Sequence, residues 1–87
     1  MKLVKFAIIA GIIALMVSVG HAQTVNINTA DAETLASVLE GVGAQRAEAI
    51  VEYREQHGAF HSADDLLQVR GIGSATVENN RDRITVE

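Results

Sequence analysis

The chain has 87 residues, of which 48% are apolar and 21% charged, and it contains no cysteine. That length admits one small domain and the lack of cysteine excludes disulfide bracing. A formal net charge of −4 excludes attraction of a polyanion by bulk charge.

Lys2 and Lys5 precede an uncharged stretch from Phe6 to Val19, and Gly20-His21-Ala22 closes it. A basic start, a short apolar run and small residues two apart have the layout of a secretory signal, with cleavage expected after Ala22. The run is 14 residues long, against the about 20 that a spanning helix needs. An uncleaved anchor is the alternative. The chain is thus expected to divide into a signal peptide, residues 1–22, and a domain, residues 23–87. Both lysines fall in the signal. The domain keeps five arginines (Arg46, Arg54, Arg70, Arg81, Arg83) against eleven acids, a net charge of −6. A polyanion can then be held only at a local site of defined geometry. Tyr53 and Phe60 are the domain's two aromatic residues, too few for a stacking platform on single strands. A domain of this size buries only ~60% of its unfolded surface. A compact, largely helical fold with short connections is expected, and a deep catalytic cleft is not.

Thr24-Val25-Asn26-Ile27-Asn28 alternates polar and apolar residues and predicts a short extended segment. A first helix is expected to start near Thr29 or Asp31, both suitable N-caps, with Leu35, Val38 and Leu39 as its apolar stripe. Gly41-Val42-Gly43 interrupts it. A second helix is predicted from about Ala44 to Gln56, with Ala47, Ile50, Val51 and Tyr53 or Arg54 inward and Glu48, Glu52 and Glu55 facing water. Gly58 is the natural stop, and Phe60 a core anchor. Ser62-Ala63-Asp64-Asp65 resembles a capping box and opens a short third helix carrying Leu66, Leu67 and Val69. Gly71-Ile72-Gly73 interrupts again, and a fourth helix is predicted from Ser74 to about Asp82. Ile84-Thr85-Val86 is extended and placed to pack beside the first segment.

The chain repeats itself. Leu39-Glu40-Gly41-Val42-Gly43 matches Val69-Arg70-Gly71-Ile72-Gly73, each between two predicted helices. Two copies are too few for a solenoid, so a pair of units sharing one core is expected. Two glycines around one apolar residue permit a tight reversal by positive φ, while Val42 or Ile72 plugs the core. The helix that follows opens with amide N–H groups that lack internal partners and with a partial positive charge. Such an end suits one phosphate and needs no net basic charge. Plain tight turns between helices are the alternative reading, which the second copy weakens.

Several other chemistries fit poorly. His57 and His61 are separated by Gly58, so no shared helix face sets a metal site. Asp64-Asp65 reads as a helix start. Neither glycine turn has the third glycine of a dinucleotide fingerprint, and no serine sits on a nucleophile elbow.

In combination, Val25-Asn26-Ile27-Asn28-Thr29-Ala30, Leu39-x-Gly41-Val42-Gly43-x-x-Arg46-Ala47-x-Ala49-Ile50, Tyr53-Arg54, Gly58, Phe60, Asp64-Asp65-Leu66-Leu67 and Val69-x-Gly71-Ile72-Gly73 resemble the ComEA-type competence proteins. The resemblance spans about residues 25 to 87. It implies an all-α fold, with two helix-hairpin-helix motifs packed as one compact domain after the signal. It further implies periplasmic binding of double-stranded DNA with little sequence preference, during uptake in natural transformation. No catalytic step, cofactor, metal-ligating side chain or small-molecule substrate is implied, although hairpin backbones of this kind can hold a monovalent cation, and DNA-uptake machinery at the inner membrane is the implied protein partner. Gly41, Val42, Gly43, Ala44, Gln45 and Arg46 would form the first DNA contact. Arg46 stands where the family often has lysine. Gly71, Ile72, Gly73, Ser74, Ala75 and Thr76 would form the second, with hydroxyls from Ser74 and Thr76. Three departures are expected to weaken it. Glu40 replaces a common proline and brings negative charge to the first hairpin. No basic residue opens the last helix. Asn79 and Asn80 thin that helix's inner face, leaving Arg70, Arg81 and Arg83 as the cations that compensate. An exported protein-interaction module with little DNA affinity is the rival reading.

Overall fold

The computed structural model describes residues 23–87, and the expected signal, residues 1–22, lies outside the described residues. The first strand, β1, is Val25–Asn26, with Val25 buried and the following Ile27 fully so. The chain then turns on Asn26. Its side-chain Oδ1 accepts the Asn28 N–H at 3.0 Å, and its carbonyl accepts the N–H of Ala30 at 3.0 Å. This is the local side-chain bonding that suits asparagine to turns.

Helix α1 spans Ala32–Val38. Asp31 is the N-cap, its carboxylate accepting the Thr34 N–H at 2.8 Å, while Thr29 stays in the turn before it. Leu35, Val38 and Leu39 are buried, as their three-and-four spacing predicts. Helix α2 spans Ala44–His57, one residue beyond the expected end. Gly58 stops it with φ 93°, and its N–H donates to the Arg54 carbonyl at 3.0 Å. Ala47 and Ile50 are buried, Val51, Tyr53 and Arg54 half-buried, and Glu48, Glu52 and Glu55 exposed. Phe60 is buried at 2% exposure.

The third element differs from the expectation. Ala63–Gln68 is a 3-10 helix, and of the three apolar residues Leu66, Leu67 and Val69, Leu67 is 44% exposed. Its two inward residues, Leu66 and Val69, stand three apart, which matches the three-residue period of that helix. The first unit has a further residue at four-spacing and forms α-helix. The capping box is also displaced. Ser62 makes no side-chain cap, and Asp65 accepts the N–H of His61 at 2.7 Å, one residue earlier than the motif places it.

Helix α3 spans Ser74–Asn80 and tightens into a 3-10 turn over Arg81–Arg83, so the predicted α-helix to Asp82 ends two residues early. Strand β2, Ile84–Thr85, then lies parallel to β1, pairing Val25 with Ile84 and Asn26 with Thr85. The all-α expectation is corrected to that extent: a mainly helical fold is closed by a two-stranded parallel pair. Such pairing needs a long crossover, which the two helical units supply. Ile27 continues the pairing, its N–H donating to Thr85 at 3.1 Å.

Both units bury their apolar residues in one core. Leu35, Val42, Ile50, Phe60, Leu66, Ile72 and Val77 meet there. Asn28 ties the loop after α2 to it, accepting the Phe60 N–H at 2.7 Å and donating to the Phe60 carbonyl at 3.0 Å. Among the described residues, no helix is long and apolar enough to cross a membrane.

Candidate functional site

The two glycine turns have the same construction. Val42 N–H donates to Leu39 O at 3.4 Å, and Ile72 N–H to Val69 O at 3.1 Å. Each bond spans four residues whose third is a glycine in the left-handed region, Gly41 at φ 77° and Gly71 at φ 89°. A type II turn requires that sign at that place. Val42 and Ile72 are buried, at 3% and 6% exposure, and plug the core.

Gly43 and Gly73 do a different job. Their φ values are −79° and −103°, so neither needs glycine for its backbone sign. Each is the N-cap of the helix that follows, with no side-chain cap. Positive φ therefore belongs to the first glycine of each pair alone. A Cβ added at Gly43 or Gly73 would meet nothing within 4 Å, so the space above both caps is open.

Beyond those caps the amides of Ala44, Gln45 and Arg46 precede the first helical bond of α2, Ala47 N–H to Gly43 O at 2.9 Å. Ser74, Ala75 and Thr76 precede the corresponding bond of α3, Val77 N–H to Gly73 O at 3.2 Å. Neither helix has an acid in its first turn. The acids are placed at the other starts, with Asp31 and Glu33 at α1, Asp64 and Asp65 at the 3-10 helix and Asp82 in the closing 3-10 turn. Carboxylates stabilise helix N-termini, and among the described residues they stand at the other helix starts but not at the two glycine-capped ends. Ala44, Gln45, Arg46, Ser74 and Ala75 are exposed, and Thr76 is half-buried.

Arg46 joins the two turns. Its Nε donates to the Gly71 carbonyl at 2.9 Å, and its side chain covers Gly71, where an added Cβ would lie 3.3 Å from that nitrogen. The cation expected at the first hairpin thus also serves the second, whose helix start has none of its own. Among the described residues Arg46 makes no ion pair, and it is exposed.

The other cations are less free than expected. Arg81 bonds Asp64 at 2.8 Å and also Glu78. Arg83 bonds Glu40 at 3.1 Å, which offsets the charge that Glu40 brings to the first turn. Arg54 donates to the Ile27 carbonyl at 2.9 Å. Arg70 is exposed.

Asn80 corrects a second expectation. It is 1% exposed, and it does not thin the inner face of α3. Its Oδ1 accepts the Glu40 N–H at 2.7 Å, and its Nδ2 donates to the Glu40 carbonyl at 2.8 Å and to Thr76 O at 2.9 Å. The repeat places Asn80 opposite buried Ile50, and a polar residue at an apolar helix position was the available signal for this contact.

His57 stacks on Tyr53 with centroids 4.4 Å apart, and Tyr53 on Phe60 at 5.3 Å. Among the described residues, no group of three or more His, Cys, Asp or Glu is placed to hold a metal ion. An open groove beside α2 is lined by Glu48, Glu52 and His57 among others. Its two carboxylates stand against one arginine, Arg70, so it offers no excess of positive charge to an anion.

Residues 20–85 match the model of the helix-hairpin-helix motif family. An uncharacterized protein of Haemophilus influenzae is 61% identical over 59 residues, covering 68% of this chain and 53% of that protein. ComE operon protein 1 of Bacillus subtilis is 44% identical over 68 residues, covering 78% of this chain and 33% of that protein. The endonuclease/exonuclease/phosphatase family domain-containing protein 1 of Rattus norvegicus is 41% identical over 63 residues, but the match covers only 11% of it. The chain thus spans about half or less of the length of these relatives. Two hairpins of one construction around a shared core, matched along nearly all the described residues, place the chain in the helix-hairpin-helix family as a member of the ComEA type.

Proposed function

We propose that this chain binds double-stranded DNA by its phosphates, without reading base sequence, and that it does so in the periplasm during DNA uptake. The observation that carries the reading is the pair of bare helix starts. Asp31 caps α1 at φ −79°, ψ 169°, and Gly43 caps α2 at φ −79°, ψ −176°. The backbone at Gly43 therefore accommodates an aspartate cap, and the sequence omits one there. At both hairpins the freed amides, the helix dipole and the open space above the cap suit a phosphate oxygen. Arg46 adds a charge-assisted donor between the two.

Membership of the helix-hairpin-helix family and similarity to ComE operon protein 1 support DNA and competence over the protein-interaction reading. The expected signal supports export, and cleavage after Ala22 would give a periplasmic species that begins at Gln23. DNA-uptake machinery at the inner membrane remains the proposed protein partner. The proposed role is to hold entering duplex and hinder its backward sliding, with no catalytic step.

Phosphates carry no base identity, and two rings, both engaged with the core and His57, offer no stacking platform. Duplexes of unrelated sequence should bind alike in a gel-shift or anisotropy assay, and single strands more weakly. Preference for one sequence, or tighter binding of single strands, would overturn the reading.

A further inference from the structure

We propose that Asn80 is a positioning residue for DNA binding: it fixes the first hairpin relative to the second, so that both turns meet one duplex as a single rigid unit. This inference rests on the DNA-binding reading above and adds a residue that touches no DNA.

The first turn is exposed at its tip. Glu40 is the second residue of that turn and lies at the surface. A surface turn is ordinarily free to shift. Here the Glu40 peptide groups are held on both sides by one buried amide, at 2.7 Å to the N–H and 2.8 Å to the carbonyl. The third bond, to Thr76 O one turn back on α3, sets the orientation of the Asn80 side chain. Thr76 belongs to the start of α3, so Asn80 connects the turn of one hairpin to the helix start of the other. Arg83 reinforces the contact through the Glu40 carboxylate at 3.1 Å.

The brace is reciprocal. Arg46 reaches from the first unit to the Gly71 carbonyl of the second turn. Each hairpin turn is therefore held by a side chain from the other unit. The two side chains are not equivalents in the repeat: Arg46 corresponds to Thr76 and Asn80 to Ile50. Core packing alone would be served by an apolar residue at position 80, as it is at position 50. An amide whose hydrogen bonds are satisfied by the opposite turn serves orientation instead.

Two sites held at a fixed spacing gain from effective concentration, and that gain is lost when the spacing varies. The test is Asn80→Leu, which fills a similar volume with an apolar side chain, as Ile50 does in the first unit, and removes all three bonds. A core change away from both turns, Ile27→Val, serves as the stability control. Circular dichroism and Tm report the fold, and anisotropy with a duplex reports affinity well below Tm. The proposal expects Asn80→Leu to bind duplex about tenfold more weakly, and Ile27→Val to bind as the wild type does. Equal affinity in folded Asn80→Leu overturns the proposal and leaves the DNA-binding reading standing. Failure of the wild type to bind duplex overturns both. Should Asn80→Leu not fold, hydrogen exchange of the wild type decides. The Glu40 amide should exchange as slowly as that of Ile50 within α2, and exchange at the rate of an exposed turn overturns the proposal.

Discussion

At Gly41 and Gly71 the backbone sign decides the residue. Both hold φ in the left-handed region, which costs a side chain about 1–2 kcal/mol. The surroundings of the two differ. Nothing lies within 4 Å of a Cβ at Gly41, whereas a Cβ at Gly71 meets Arg46 at 3.3 Å. Gly41→Ala should therefore lower stability by about 1–2 kcal/mol in urea unfolding, and Gly71→Ala should lower it at least as much. The Gly71 change should also loosen Arg46. Equal stability to the wild type in both would remove the turn geometry proposed for them. Asp31 gives a prediction in pH. The Thr34 N–H holds its carboxyl below its ordinary value of 3.8, with Arg54 a minor contributor. A carboxyl depressed on folding contributes stability above its unfolded pKa, and that contribution fades as pH falls through the folded value. The Tm difference between wild type and Asp31→Ala should hold at neutral pH and shrink below about pH 4. A difference that persists unchanged at pH 2 would assign the cap no such role.

At the scale of elements, the pattern of caps separates structural helix starts from proposed binding starts. Arg46 then ranks the contributions at the hairpins. Arg46→Ala should weaken duplex binding by more than Thr76→Ala and reduce the slope of log affinity against log salt by about 1. The direct test is a salt titration of both variants. An unchanged slope for Arg46→Ala would exclude a phosphate contact there. Most of the elements were legible from the chain because their signals are local. The α1 stripe, the Gly58 stop, the buried Phe60 and the repeated Gly-apolar-Gly turn all follow from spacing and residue type. The 3-10 helix was also readable in principle, since Leu66 and Val69 lack a partner at four-spacing. What sequence reasoning missed depends on partners distant in the chain. Asn80 meets Glu40, Arg46 meets Gly71, and Asn28 meets Phe60, at separations of 40, 25 and 32 residues. No local pattern specifies such a pairing. The division of labour within each glycine pair was hidden for another reason: both glycines suit a turn, and only the dihedral angles show which one requires it.

For the whole molecule, the issue is how a domain of charge −6 can hold a polyanion. Most of the acids are placed on the outer side of α2 and at the starts of α1 and the 3-10 helix, Asp82 and Glu87 lie in the last residues of the chain, and Glu40, Asp64 and Glu78 are paired with arginines. The two glycine-capped ends carry no carboxylate in their first helical turn. Binding is then short-ranged and depends on geometry rather than on net charge. The measurement that bears most directly on this account is duplex affinity of Gly43→Asn beside its Tm. Asparagine is a neutral, strong N-cap, the backbone at Gly43 already has a capping conformation, and a Cβ there meets nothing within 4 Å. The new side chain should take up one of the free amides at the start of α2 and stand in the open space above the cap, without adding charge. The account predicts a Tm equal to or slightly above that of the wild type, with duplex affinity reduced about tenfold. Retained affinity in a variant of equal or higher Tm would contradict it, because DNA would then be held somewhere other than at the bare helix start.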